Sequence, residues 1–394
     1  MRLTVLQENL SKGLSIVGRA VSTRSTLPVL SNILLSTDEE RLKLAATNLE
    51  IGVSCWVGAQ VDDDGAVTLP ARLLTEWVNS VPPEKIDMEL VVRNMSVNLK
   101  CARFESHIKG IDANEFPLIP TADGQDILSL PAPTLRQIID QVVFAAAEAK
   151  ETSRPALTGV QMMFEGDRLS LAATDGFRLS VRRTVLQGPP VELPPVIVPA
   201  RALQEVSRVS ADADPGKPVA LTVAEGRNQI LFRILGRAEA EHGAYHQVDL
   251  VSQLIDARFP DFNAIIPRSY TTRTVLDTAA FLRALKPASL FARDVNDRVT
   301  LHIEPGGDTT PGQVTIRATS AETGDNVSEL DALVEGTALD IAFNSRFLAD
   351  VLSVIDTPQV VLETTRSDRS AIFRPVGVGP EEFTHVIMPM QLMR

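Results

Sequence analysis

One short run occurs twice in this chain, and its spacing constrains the fold more than any other feature. Leu42–Asn48 reads LKLAATN and Leu169–Asp175 reads LSLAATD, with Thr47 and Thr174 lying 127 residues apart. Pro28-Val29-Leu30 ahead of Ile33 to Leu35 returns as Pro155-Ala156-Leu157 ahead of Val160 to Met162, again 127 residues on. Pro70-Ala71-Arg72 returns as Pro199-Ala200-Arg201 after 129 residues. A weaker third copy carries Val314 to Thr319 and Asn344-Ser345-Arg346, each 145 residues beyond its counterpart in the second. The extra length is partly visible as the Gly/Pro-rich segment Glu304 to Gly312, a natural loop insertion. Solenoid repeats run to about 20–50 residues. A period near one third of 394 residues instead makes each copy a whole domain. The copies divide the chain at 1–125, 126–258 and 259–394.

Within the second copy, Arg168 to Arg183 reads as a strand, a corner and a second strand. Leu169 and Leu171 alternate with polar neighbours, and Phe177, Leu179 and Val181 do so after the corner. Asp175-Gly176 supplies the turn: Gly tolerates positive φ, and the Asp side chain caps the bend. Apolar stripes predict helices over 6–20, 70–81, 133–147, 199–209, 278–291 and 343–355, two per copy, with strands between. Pro70 is expected at the first helical position, with Leu73, Leu74, Trp77 and Val78 buried. The segment Ile119 to Gly124 reads as a linker. The class is α+β, antiparallel sheets with helices on one face.

Net charge is −12, which argues against coating nucleic acid by bulk attraction. The distribution is uneven: the six predicted helices sum to +4 and the rest of the chain to −16. A shared helical side can therefore face a polyanion, with Arg24, Lys150 and Arg154 adding to it from loops. No aromatic platform interleaves these cations, which favours a duplex over a single strand. Cys55 and Cys101 lie in strand-like runs outside any CxxC and read as reduced core residues of a cytosolic protein. His242 and His246 have i,i+4 spacing but enclose Gly243 and lack the Glu of a zinc-protease helix. No metal or cofactor is expected, and no apolar run approaches a membrane span. Nucleophile elbow, Walker loop and GxGxxG are absent from the sequence. Asp175 and Asp261 sit in turns with no accompanying base or nucleophile. The expectation is a binding protein, not an enzyme.

Four motifs bear a family resemblance: Thr26-Leu27-Pro28-Val29-Leu30, Thr174-Asp175-Gly176-Phe177-Arg178-Leu179, Phe259-Pro260-Asp261-Phe262 and Val386-Ile387-Met388-Pro389-Met390. With the repeat, they make the whole chain resemble the bacterial DNA polymerase III beta subunit, the replicative sliding clamp. The resemblance implies three clamp domains per chain and a head-to-tail homodimer. The dimer closes a ring, helices inside and sheets outside, around duplex DNA of any sequence. The ring is cytoplasmic, is opened by a clamp loader ATPase and tethers the replicative polymerase. Other polymerases, mismatch repair proteins and ligase are implied partners through a short peptide motif. A non-ring peptide-binding scaffold of three repeated domains is the alternative.

Residue by residue, the resemblance turns the basic helical and loop side chains toward DNA: Lys12, Arg19, Arg24, Arg72, Arg136 and Lys150, then Arg154, Arg201, Arg208, Arg283, Lys286 and Arg346. It assigns a partner-peptide pocket to Leu157, Thr174, Gly176, Phe177, Arg178 and Leu179, with Pro260, Ile265, Met388, Pro389 and Met390. Here Gly176 lets a ligand backbone approach, and Arg178 hydrogen-bonds the ligand. The apolar chain end, with Met388, Met390 and Met393, independently suits many partners. The dimer contact falls on Arg103 and Phe104 on one edge and on Phe281 and Leu282 on the other. Departures from the family pattern are Phe177 in place of a common His, Asn263-Ala264 in place of Arg, the end Met393-Arg394, and the insertion at 304–312.

Overall fold

The computed structural model describes residues 1–22, 26–121, 128–151, 153–186, 190–224, 228–237, 245–307 and 310–392. Arg24, the end of the expected linker, His242, Gly243 and Met393-Arg394 lie outside the described residues.

Among the described residues six α-helices form: α1 Gln7–Val17, α2 Ala71–Ser80, α3 Ala132–Val143, α4 Ala200–Ser210, α5 Thr278–Ala292 and α6 Ser345–Val354. All six fall where apolar periodicity places them, with shifted ends. Pro70 is the N-cap of α2, not its first residue, because it closes the strand Ala66–Pro70 and pairs with Asn32. Phe343 likewise belongs to the strand Leu339–Asn344. Asn344 then caps α6, its side chain accepting the Arg346 N–H at 2.9 Å. Asp277 caps α5 through the Ala280 N–H at 2.7 Å.

The chain packs as two compact units, Met1–Arg136 with Arg201–Leu254, and Gln137–Ala200 with Ile255–Arg394. Strand pairing explains the grouping. In the first unit, Ile51–Asp63 pairs with Gln247–Gln253 as well as with Arg41–Thr47 and Arg2–Leu6. In the second, Arg178–Val185 pairs with Phe383–Ile387. The last strand of one sequence repeat thus extends the sheet of the preceding repeat. Among the described residues, each unit holds a sheet of 12 strands.

The first unit buries Leu10, Leu14 and Val17 of α1 and Leu74 and Val78 of α2. Leu73, expected inside, is exposed, and the half-buried Trp77 donates its indole N–H to Ser106 at 2.8 Å. The second unit packs Phe281, Leu285, Ala288 and Ala292 of α5 and Leu348, Val351 and Leu352 of α6 onto Leu301, Ile316, Ile341 and Phe373. Cys55 and Cys101 are buried free thiols. Burial pushes the Cys55 pKa up, which keeps it protonated.

Candidate functional site

The corner after Arg168–Thr174 folds as its sequence dictates. Gly176 has φ +94°, and the Asp175 Oδ1 accepts the N–H groups of Phe177 (2.8 Å) and Arg178 (3.0 Å). The Thr174 hydroxyl accepts from Gly176 N–H at 3.0 Å and donates to the Arg178 carbonyl at 2.6 Å. Three consecutive residues are thereby fixed by two short side chains, and Phe177 is left projecting, 61% exposed.

This corner forms one wall of a cleft of about 730 Å³ within the second unit. Pro155 to Leu157 form another wall, Ala257 to Phe262 with Ile265 a third, and Val386 with Met388 the last. Ile265 and Met388 are about half exposed (54% and 51%), so the cleft presents apolar surface to solvent. Phe259 and Phe262 meet edge to face at 6.3 Å beneath it. Its size and lining suit a short peptide with several apolar side chains.

Nine of the pocket residues expected from sequence line this cleft: Leu157, Thr174, Gly176, Phe177, Arg178, Leu179, Pro260, Ile265 and Met388. Pro389 and Met390 do not. The Met390 N–H is spent on the Ala342 carbonyl at 2.8 Å, which draws the tail onto the edge strand Leu339–Asn344. The sequence reading missed the wall residues Pro155, Ala156, Phe259 and Phe262, although both motifs containing them were visible. Arg154, assigned there to DNA, lines the cleft and lies against Gly176.

Arg178 is held from inside the protein. Its side chain is only 10% exposed. Nε pairs with Asp175 at 3.0 Å, Nη1 bonds Asp350, and Nη2 donates to the Phe144 carbonyl at 2.7 Å. The guanidinium lies 4.4 Å over the Phe347 ring. Three of its five N–H donors are engaged inside the protein, so it braces the corner while lining the cleft with two donors left over. His385 is fully buried, its ring tilted against that of Phe144 at 5.2 Å. Burial, with Arg178 close by, pushes its pKa down to about 3.

Most of the candidate DNA-facing cations are partnered. In the first unit, Lys12 bonds Asp212, Arg19 lies 3.3 Å from Glu205, Arg72 2.7 Å from Glu76, and Arg208 2.7 Å from Glu205. Arg201 donates to the Arg19 carbonyl at 3.0 Å. Arg136 is half-buried, with its Nε buried. In the second unit, Lys150 lies 2.6 Å from Glu148, Arg154 3.9 Å from Glu151 and Arg346 2.9 Å from Asp297. Arg283 and Lys286 on α5 are exposed, with no ion-pair partner among the described residues.

Of the candidate dimer residues, Arg103 and Phe104 are exposed, Phe104 by 52%. Leu282 is half-buried against the core, and Phe281 is fully buried within it. Phe281 is therefore a core residue: its side chain has no surface to offer a second chain. Among the described residues, no group of His, Cys, Asp or Glu side chains is arranged to hold a metal ion, and no helix is long and apolar enough to cross a membrane.

Comparison with known proteins covers the entire chain. Residues 1–120, 129–261 and 263–391 match the N-terminal, central and C-terminal domains of the DNA polymerase III beta subunit. The chain is 30% identical over 396 residues to the beta sliding clamp of Synechococcus elongatus, spanning 100% of both. It is 27% identical over 400 residues to that of Staphylococcus aureus, spanning 99% of each. The DNA polymerase sliding clamp of Bacillus subtilis superposes over the full length of both chains with TM-score 0.87 at 26% identity. The Pseudomonas aeruginosa sliding clamp bound to griselimycin does so with TM-score 0.85 at 28%.

Proposed function

The chain belongs to the bacterial DNA polymerase III beta subunit family, the non-catalytic sliding clamps, and from this we propose a ring-shaped homodimer that encircles duplex DNA and tethers the replicative polymerase. The apolar cleft of about 730 Å³ carries the partner half of this reading. A solvent-exposed set of Phe177, Ile265 and Met388 around a preformed groove is an anchor site for a short segment. A peptide with one Gln and two or three apolar residues fits it, at micromolar strength, about −8 kcal/mol. Replicative polymerase, clamp loader, other polymerases, mismatch repair proteins and ligase are the proposed users. All of them work on DNA in the cytoplasm.

Unpaired strand edges support the dimer. Residues 324–332 of Gly324–Gly336 pair with Gly312–Ser320 on one side only. The corresponding strands of the first two repeats, Ile51–Asp63 and Arg178–Val185, take a last strand on that side. Phe104–Lys109 is a last strand with a single partner, Ser96–Cys101. Carrying the register over sets Asn326 opposite Ser106 of the partner subunit, which satisfies both edges and covers the exposed Phe104 and Val327.

The helical cations support sliding. Ion pairing within the protein leaves few free charges to grip phosphates, so association with DNA is topological and weakly salt-dependent. Retention on nicked circular DNA, with loss on linearisation, tests the ring. Equal retention on both forms, or a monomeric native mass, refutes it.

A further inference from the structure

The corner that walls the cleft exists a second time. In the first unit, Thr47-Asn48-Leu49-Glu50-Ile51 stands where Thr174-Asp175-Gly176-Phe177-Arg178 stands in the second. The Thr47 hydroxyl accepts from Leu49 N–H and donates to the Ile51 carbonyl, both at 3.0 Å. The Asn48 Oδ1 accepts from Glu50 (3.0 Å) and Ile51 (2.8 Å). The Gln253 N–H donates to the Glu50 carbonyl at 2.9 Å, as Met388 N–H does to the Phe177 carbonyl at 2.8 Å. Five hydrogen bonds are thus reproduced bond for bond. Pro117 to Pro120 flank this corner as Phe259 to Phe262 flank the other.

The two corners differ where a ligand backbone would pass. Leu49 occupies the position of Gly176 and holds φ +74°, a left-handed conformation unfavourable for a leucine. Non-glycine residues are kept in such conformations only where the surroundings impose them, and here the Thr47 and Asn48 side chains do so. Its side chain is 54% exposed and borders a space of about 190 Å³, against about 730 Å³ at the open cleft.

We propose that the first repeat carries a closed copy of the partner site, and that Leu49, in the place of Gly176, limits each chain to one peptide site. The inference rests on the cleft being a peptide site. The chain itself shows that this turn accepts leucine, so Gly176→Leu is expected to fold, and Gly176→Asn, which tolerates left-handed backbone, serves as a second closing variant.

The test titrates a labelled hexapeptide with one Gln and three apolar residues onto the full-length chain. Wild type should bind one peptide per chain. Gly176→Leu should lose about tenfold or more in affinity, with unchanged native mass and a melting temperature only slightly lowered by the left-handed backbone. Leu49→Gly should bind a second, weaker equivalent that survives when Gly176→Leu is added. Wild-type affinity in both closing variants overturns the proposal, as does a stoichiometry of one in Leu49→Gly. Absence of binding to wild type, and equally to a Met388→Glu control, refutes the peptide-site reading itself and takes this inference with it.

Discussion

The apolar cleft and the basic helix faces treat exposed side chains in opposite ways. Around the cleft, Phe177, Ile265 and Met388 stand half or more exposed on a rigid frame. Along the helices, Lys12, Arg19, Arg72, Arg208 and Arg346 each face a carboxylate of the same chain. Uncovered apolar surface stores binding free energy for a partner, at roughly 25 cal/mol per Å² buried. A paired cation at the surface contributes little to stability and adds little attraction for phosphate. In the proposed function one region would hold a partner and the other would leave DNA free to slide.

The largest expected effect comes from removing the held side. Deleting 388–394 should abolish peptide binding, at least about 100-fold or 2.7 kcal/mol, while the native mass stays that of a dimer. Undiminished binding would move the partner site elsewhere. Next, Phe104→Asp should weaken the dimer by about 2–4 kcal/mol without lowering the melting temperature of the monomer. Phe281→Ala should do the reverse, costing about 3–5 kcal/mol of folding stability. If Phe281→Ala dissociates the dimer with the fold intact, its assignment to the core is wrong.

Acid separates the cleft wall from the rest of the molecule. His385 lies in the strand that supplies Val386, and it stays neutral in the folded state down to about 3. In the unfolded chain it titrates near 6.5. Between these values only the unfolded state takes up the proton, so stability falls as pH drops from about 6.5 toward 3, by up to about 1.4 kcal/mol per pH unit. His385→Phe should flatten this part of the stability profile, and an unchanged acid slope would count against the burial. The smallest effect belongs to the helices. Changing Arg283 and Lys286 to Gln should lower the salt slope of direct DNA binding by roughly 0.9 for each phosphate no longer neutralised. Arg72→Gln, whose charge Glu76 already meets, should change it less. Equal slopes for the two variants would undo the contrast between paired and free cations.

Much of this is legible in the sequence. The repeat announces three similar domains because the same local pattern, recurring at fixed intervals, must fold in the same way. The six helices follow from apolar spacing, and the Asp175-Gly176 corner from the two residue types that make such turns. These are signals that act within a few residues of one another. The tertiary structure alone decided the rest. Arg178 braces the corner because Asp350 and Phe144, 172 and 34 residues away, claim two of its donors. Phe281 is core because strands far along the chain close over it. The chain groups into two units because last strands pair with the preceding repeat's sheet. Periodicity reports which face of an element is apolar. What that face meets is set by pairings between distant strands, which local sequence does not encode.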